Sequence, residues 1–179
     1  MSFFDEVAFP WVLGTEGGYQ NDPRDKGNWT GGAVGVGQLR GTKFGISAAS
    51  YPYLDIKNLT TADALSIAKR DFWDMFQGDN IPPAVALCVF DFGYNAGVHE
   101  AVKTLQRVLG VAEDGVVGPN TIRACSSYDA SFLCQKYTGQ RIEAYKMMPE
   151  WQEYGDEWIT RATKTLAKAG TYLGSKSFS

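Results

Sequence analysis

The chain has 179 residues, of which 44% are hydrophobic and 13% aromatic, and its formal net charge is −3 at pH 7. This composition predicts a globular domain with a core of its own and excludes a disordered segment. The slightly acidic balance argues against a nucleic-acid-binding protein. The sequence also lacks the run of roughly 20 apolar residues that a membrane-spanning helix needs.

The first predicted element is a helix over residues 3–14, where apolar residues recur at helical spacing. Pro10 is expected to bend this helix, and the glycines that follow should end it, so that Glu16 lies at a helix end. Residues 17–50 contain nine glycines and show no helical periodicity. They predict short β hairpins and loops that lie on the surface and carry function.

From Thr60 onward the pattern is helical. Thr60 or Thr61 is expected to cap a helix, and Pro82-Pro83 should open the next one. That second helix is apolar on all sides over 84–90, which predicts a buried central helix. Further helices are predicted at about 98–109, after Gly118-Pro119, at about 129–147 and at about 150–169. The predicted fold class is mainly α (α+β), with a small glycine-rich β-hairpin region near the N-terminus.

The cysteines and the histidine offer little chemistry. Cys88, Cys125 and Cys134 form no CxxC pair, and they are expected to be buried free thiols. His99 is the single histidine, and no HExxH motif occurs. We therefore expect no metal and no cofactor.

Carboxylic acids are the remaining catalytic candidates, and three of them, Glu16, Asp22 and Asp25, lie close together. Glu16 follows an apolar helix, and an acid in apolar surroundings keeps its proton more readily. A general acid that cleaves a glycosidic bond near neutral pH needs this property. Each acid could instead cap a turn, and Asp22, which precedes a proline, is the strongest case for that role.

Several stretches carry a resemblance to a known family. They are EGGY at 16–19, NDP at 21–23, TKFGIS at 42–47 and FDFGYNAG at 90–97. In this order they resemble the motifs of glycoside hydrolase family 108, which comprises N-acetylmuramidases of phages and bacteria, many of them endolysins. Residues 105–121 resemble the peptidoglycan-binding pattern in the C-terminal half of that family, and the whole resemblance spans about 7–165.

This resemblance implies a lysozyme-like helical domain, with residues 1–97 as the catalytic muramidase region. Residues 98–179 would form a helical peptidoglycan-binding-like region packed into the same globular unit. The implied activity is hydrolysis of the β-1,4 bond between N-acetylmuramic acid and N-acetylglucosamine in bacterial peptidoglycan, with Glu16 as general acid. The implied role is that of an endolysin that lyses its host cell.

Phage lysozymes, which the family resembles in outline, place an acid, then an aspartate, then a threonine around a β hairpin. Asp25 follows Glu16 after nine positions and takes the second place. The third place stays open, because Thr30 has the right distance from Asp25 whereas Thr42 has the right following residues. The chain between the two threonines predicts a lengthened hairpin.

Contacts to the substrate are expected from Tyr19, Asp22, Trp29, Tyr94 and Asn95. The aromatic rings would stack on sugar faces. Asn95 follows the buried helix, so it would either hydrogen-bond the substrate or cap the helix end.

The expected partner is peptidoglycan, with no nucleic acid, no stable membrane insertion and a monomeric protein. Arg161, Lys164 and Lys168 share one helix face, which would contact an anionic surface or simply be solvated. The acidic N-terminus lacks the features of a secretory signal. We therefore expect synthesis in the host bacterial cytoplasm and action on the wall, in the periplasm, after release by a membrane-perforating partner.

Two alternative functions remain. A lytic transglycosylase would act on the same bond with one essential glutamate and leave an anhydro-sugar end. A non-catalytic peptidoglycan-binding or virion protein would need no acid at position 16.

Overall fold

Seven α-helices and one two-stranded antiparallel sheet form the regular structure of residues 2–174, which this computed structural model describes. The helices are α1 Phe9–Thr15, α2 Thr61–Ala68, α3 Pro83–Ala96, α4 Val98–Leu109, α5 Pro119–Ser127, α6 Ala130–Lys146 and α7 Trp151–Gly170. The strands are β1 Thr42–Lys43 and β2 Ile46–Ser47. The predicted mainly α class with a small β region is confirmed.

The chain forms two compact units. The smaller unit is Phe9–Lys69, and the larger unit combines the residues up to Ala8 with those from Arg70 onward. In the residues described, no helix is long and apolar enough to cross a membrane. The same residues contain no cluster of three or more His, Cys, Asp or Glu side chains that could hold a metal ion.

The helix predicted over residues 3–14 is present in two parts. A π-helical turn at Phe4–Ala8 leads directly into α1, whose second residue is Pro10. Proline has no N–H and cannot donate the hydrogen bond to the residue four positions earlier. The hydrogen-bond pattern therefore changes from π to α next to Pro10.

The glycine-rich segment forms the predicted hairpins and loops. Strands β1 and β2 pair with Lys43 opposite Ile46. The two turn residues, Phe44 and Gly45, have φ angles of 55° and 77°. Positive φ at both positions is the type I′ turn, whose twist matches that of the strands it joins. Two isolated bridges, Gln20 with Thr42 and Trp29 with Leu39, extend the pairing.

Helix α2 begins as the sequence predicts. The Thr60 hydroxyl accepts a hydrogen bond from the Asp63 N–H at 3.2 Å, and the Asp63 carboxylate accepts one from the Thr60 N–H at 2.8 Å. This reciprocal capping satisfies two N–H groups that the helix itself leaves without partners.

Helix α3 is the centre of the larger unit. Its residues 84–93 are all buried, and it packs against α4, α6 and α7. The predicted buried central helix is confirmed, and so are its start at Pro83 and the end of α4 before Gly110, whose φ is 69°. A left-handed residue after the last turn is the usual way in which glycine ends a helix.

One carboxylate is buried within this apolar helix. Asp91 is fully buried and lies 2.7 Å from the Arg141 Nη2 atom of α6 and 3.1 Å from the Arg161 Nη2 atom of α7. It also accepts a hydrogen bond at 3.1 Å from the Thr165 hydroxyl. A buried carboxylate is tolerated only when such partners compensate for its lost hydration.

This ion pair corrects one prediction. Only 15% of the Arg161 side chain is exposed, because it faces α3 and pairs with Asp91. Arg161 therefore does not belong to a solvent-facing basic surface. The proposed anionic contact retains only Lys164 and Lys168, and Lys168 lies over the Tyr172 ring at 5.3 Å.

The three cysteines are free and buried, as predicted. A hydrogen bond with Cys134 and burial raise the pKa of the Cys88 thiol. Burial raises the pKa of Cys125 to about 12. The Cys88 and Cys125 thiols therefore stay protonated at neutral pH, and a protonated thiol is a poor nucleophile.

The ion pair gives a prediction for stability. Arg141→Met should lower the free energy of unfolding by about 3–5 kcal/mol, because it leaves Asp91 buried with one cation fewer. Urea denaturation followed by circular dichroism measures the change. Arg123→Met, which alters an exposed arginine of α5, is the matched control and should stay within about 0.5 kcal/mol of the parent. Equal unfolding free energies for the two variants would contradict the prediction.

Candidate active site

Glu16 is held by the end of α1. Its N–H donates to the carbonyl oxygens of Val12 at 3.1 Å and Leu13 at 3.3 Å, so the residue ends the helix as predicted. Its side chain is half-buried. The next residue, Gly17, accepts a hydrogen bond at 3.2 Å from the Phe44 N–H in the hairpin turn. The chain just after Glu16 is therefore joined to the β hairpin.

Asp25 is fixed through both of its carboxylate oxygens. Oδ1 accepts a hydrogen bond from the Gly27 N–H at 2.8 Å, and Oδ2 accepts one from Gln20 Nε2 at 3.1 Å. The residue itself is exposed. A carboxylate that is oriented by the protein and still open to solvent can steady a positive charge or orient a water molecule.

Gln20 and Asn28 connect Asp25 to the hairpin. Asn28 is fully buried, and the two carboxamides bond reciprocally, with Asn28 Nδ2 donating to Gln20 Oε1 at 2.7 Å and Gln20 Nε2 donating to Asn28 Oδ1 at 3.1 Å. Asn28 Oδ1 also accepts a hydrogen bond from the Thr42 hydroxyl at 2.7 Å. Asp25 and Thr42 therefore belong to one hydrogen-bonded network.

Sequence reasoning assigned no role to Gln20 or Asn28. Both lie in the polar segment around the acids, and a carboxamide can donate and accept at the same time. That property suits them to connect a carboxylate with a hydroxyl. The spacing of the two residues along the chain does not show that they pair.

The two candidate threonines have different partners. Thr42 joins the Asp25 network, whereas Thr30 pairs with Gln38 across the lengthened hairpin. The Thr30 N–H donates to the Gln38 carbonyl at 3.0 Å, and the Thr30 hydroxyl accepts from the Gln38 N–H at 2.9 Å. Thr30 therefore closes the loop at 31–37, and Thr42 is the threonine that lies in the network with Asp25.

Asp22 forms an ion pair with Arg24. Its carboxylate accepts hydrogen bonds from the Arg24 guanidinium, the shortest at 2.7 Å, and from the Arg24 backbone N–H at 2.9 Å. The side-chain hydrogen bonds from Arg24, followed by the backbone one, lower the pKa of Asp22 to about 2. The carboxylate thus stays ionised and caps its own turn, the alternative role considered for it from the sequence.

Two other predicted contact residues lie nearby in the smaller unit. The Trp29 indole N–H donates to the Pro23 carbonyl at 2.9 Å. Tyr19 lines an open cavity of about 430 Å³, together with Arg40 and Tyr53. Tyr53 is 95% exposed, so the cavity presents an aromatic face that could stack on a sugar ring.

Tyr94 and Asn95 lie in the larger unit, at the end of α3. The Tyr94 ring packs against Phe72, with ring centroids 4.7 Å apart, which gives it a packing role. Asn95 is exposed, and its Oδ1 accepts a hydrogen bond at 2.8 Å from the Tyr145 hydroxyl. That hydroxyl accepts one from Arg141 Nε, also at 2.8 Å, so the Asp91 ion pair orients Asn95.

Comparison with known proteins gives the family. Residues 9–97 match the family described as Glycosyl hydrolase 108, and residues 100–163 match the one described as Predicted Peptidoglycan domain. The chain belongs to glycosyl hydrolase family 108. It is a glycoside hydrolase that acts on peptidoglycan, of the N-acetylmuramidase type.

A solved structure supports the fold of this family 108 hydrolase. The chain is similar to Brucella abortus SagA, with 27% sequence identity over 97% of each chain and a TM-score of 0.82. No curated protein matches the sequence. The fold is thus α-dominated and lysozyme-like, and all the candidate site residues fall within the stretch 9–97.

The Asp22 contact can be tested by titration. In the parent protein the pKa of Asp22 should be about 2, and Arg24→Ala should raise it toward 3.8, because the charged hydrogen bonds that favour the ionised form are lost. Carboxyl ¹³C NMR measures both values. Arg123→Ala, in the larger unit, should leave the Asp22 titration unchanged. A pKa that stays near 2 in the Arg24→Ala protein would show that other groups hold the charge.

Proposed function

We propose that this chain hydrolyses the β-1,4 bond between N-acetylmuramic acid and N-acetylglucosamine, with Glu16 as the general acid. The observation that carries the proposal is the position of Glu16. It is a half-buried carboxyl group at the end of α1, and the chain after it is joined to the hairpin that contains Thr42. It also lies within the part of the chain that matches family 108.

In this reaction the Glu16 carboxyl group donates its proton to the glycosidic oxygen as the bond from that oxygen to C1 of the muramic acid breaks. The oxygen of a water molecule forms the new bond to C1, and this water loses a proton to one of the two carboxylates, Glu16 or Asp25. Asp25 is the candidate for steadying the positive charge at C1 or orienting the water, since both of its oxygens are fixed. Thr42 would position the same water through its hydroxyl group.

Substrate contacts are proposed for both units. Tyr19 and the exposed Tyr53 would stack on a sugar ring, and Trp29 would offer a further aromatic face. The carboxamide of Asn95, oriented by Tyr145, would hydrogen-bond the glycan. Residues 1–97 would thus perform catalysis, and residues 98–179 would bind the wall.

We also propose the biological role that the resemblance implies. A peptidoglycan hydrolase of this kind would act in the periplasm as an endolysin, and its cleavage of the glycan strands would lyse the host cell. Lysis of outer-membrane-permeabilised bacteria, followed as a fall in turbidity, tests whether the protein alone is sufficient.

Glu16→Gln keeps the shape of the side chain but removes its acidic proton. The rate of lysis of permeabilised cells should fall by about two to four orders of magnitude, the usual contribution of general acid catalysis. Binding to sacculi should persist and the fold should be intact by circular dichroism. Glu6→Gln, which changes an exposed acid earlier in the chain, is the matched control and should lyse at the parent rate.

A folded Glu16→Gln protein that lyses cells at the parent rate would refute the role of Glu16. The products decide between hydrolase and lytic transglycosylase. Mass spectrometry should show muropeptides with reducible ends, whereas anhydro ends, lighter by one water, would establish the transglycosylase.

The two threonines provide a matched pair of variants. Thr42→Val and Thr30→Val each remove one hydroxyl that makes a hydrogen bond across the loops, and each should cost about 1 kcal/mol of stability. Only Thr42→Val should lower the rate of sacculus hydrolysis markedly, because only Thr42 joins the Asp25 network. If Thr30→Val alone loses activity, the assignment is reversed. Hydrolysis at the parent rate by both variants would remove both threonines from the site.

A further inference from the structure

The cavity that Tyr19 lines in the smaller unit carries positive charge as well as aromatic rings. Among the residues described, its lining includes two cations, Arg40 and Lys57, and one acid, Asp55. The Lys43 amino group donates a hydrogen bond to the Lys57 carbonyl at 3.0 Å and adds a third cation beside the lining. The whole chain has a net charge of −3. The cavity is therefore a positive site on an acidic protein, and it favours anionic groups.

The Arg40 guanidinium is held in place by neutral acceptors. Its Nε donates to Gln38 Oε1 at 2.9 Å, and its Nη1 donates to the Pro52 carbonyl at 3.1 Å. Asp55 accepts a hydrogen bond from the Asn58 amide at 2.8 Å, and within residues 2–174 no carboxylate forms an ion pair with Arg40. A guanidinium has five N–H donors. Arg40 is thus an oriented cation with donors left for a ligand.

The cavity lies beside the Asp25 network. The Arg40 N–H donates to the Asn28 carbonyl at 2.9 Å, and the Asn28 side chain is the centre of that network. Tyr19 precedes Gln20, which bonds directly to the Asp25 carboxylate. The cavity and the network both belong to the smaller unit. A group bound in the cavity would therefore be close to the proposed catalytic residues.

Peptidoglycan carries a substituent that matches this charge. Its muramic acid has a lactyl group on O3, which ends in a carboxylate or continues into a peptide stem with carboxylates of its own. Arginine binds a carboxylate through charged hydrogen bonds that are frequently bidentate. Tyr53 is 95% exposed and offers an apolar face to the sugar ring itself. An aromatic ring and an oriented cation in one cavity suit an acidic sugar better than a neutral one.

We propose that Arg40 is a specificity-determining residue, which binds a carboxylate on the lactyl substituent of muramic acid while Tyr53 contacts the sugar ring. The cavity thereby selects glycan whose lactyl groups or peptide stems carry free carboxylates. The identity of the substrate rests on the proposed function. Arg40 itself acts in binding and takes no part in the proton transfer.

Two substrates measure this preference. One consists of soluble, uncrosslinked peptidoglycan strands, and the other consists of the same strands with their carboxylates converted to methylamides by carbodiimide and methylamine. Size-exclusion chromatography follows the shortening of the strands and gives KM and kcat. For the parent protein, KM should be about tenfold higher on the methylamide strands, because a hydrogen bond to a charged group contributes about that factor.

Arg40→Gln should remove this preference. Its KM on unmodified strands should rise about tenfold, whereas its KM on methylamide strands and its kcat should match those of the parent. Arg40→Lys keeps a cation and should retain part of the preference. The matched control is Arg123→Gln, which removes one positive charge from the exposed surface of α5 and should keep the parent's ratio of the two KM values.

Strands freed of their peptides by an amidase identify the carboxylate. If Arg40→Gln raises KM on these strands as well, the lactyl carboxylate is the ligand of Arg40. If it raises KM only on strands that keep their peptides, the ligand is a carboxylate of the stem. Either result supports the proposal, because both carboxylates belong to the same substituent.

A parent protein with equal KM values on the two substrates would overturn the proposal, and so would a folded Arg40→Gln protein that keeps the parent's ratio. If Arg40→Gln and Arg40→Lys raise KM equally on both substrates, Arg40 only supports the loop, and the proposal is again wrong. Failure of the proposed function would appear differently, as normal lysis by the Glu16→Gln protein. That result would leave the ratio of KM values unchanged.

Discussion

A carboxylate in the middle of an apolar helix is unstable unless cations replace the water that it has lost. Asp91 sets this requirement for α3, and Arg141 of α6 and Arg161 of α7 meet it. Helices α6 and α7 must therefore pack on α3 in one rotational position, with both guanidinium groups turned inward. The helical packing of the larger unit therefore involves this cluster as well as its buried apolar side chains.

The same cluster reaches the surface at one point. Arg141 bonds to the Tyr145 hydroxyl, and Tyr145 bonds to Asn95, so the exposed carboxamide at the end of α3 has a defined orientation. A substrate contact needs such orientation, because a side chain that is already ordered loses less entropy on binding. The stability of the larger unit and the orientation of Asn95 for its proposed substrate contact thus depend on the same set of hydrogen bonds.

The smaller unit is organised differently, since its glycine-rich loops bury few apolar side chains. Its centre is the buried carboxamide of Asn28, which brings Gln20, Asp25 and Thr42 into one network. Gly41 is needed beside it, because a Cβ atom there would lie 2.4 Å from the Gln20 carbonyl oxygen and 2.7 Å from the Tyr19 ring. Polar bonds and close backbone contacts thus position Asp25 and Thr42.

The sequence alone determined the features that depend on neighbours along the chain. Helical periodicity predicted the helices, and the Thr60 cap, Pro83 and Gly110 marked their ends correctly. The motifs around Glu16 and at 90–97 identified the family. Only the tertiary structure decided that Thr42 joins Asp25, that Gln20 and Asn28 connect them, and that Arg161 faces inward. These features rest on hydrogen bonds and ion pairs between side chains that are separated in sequence, by 70 positions for Arg161 and Asp91. The spacing of residues along the chain does not predict which side chains will pair in this way.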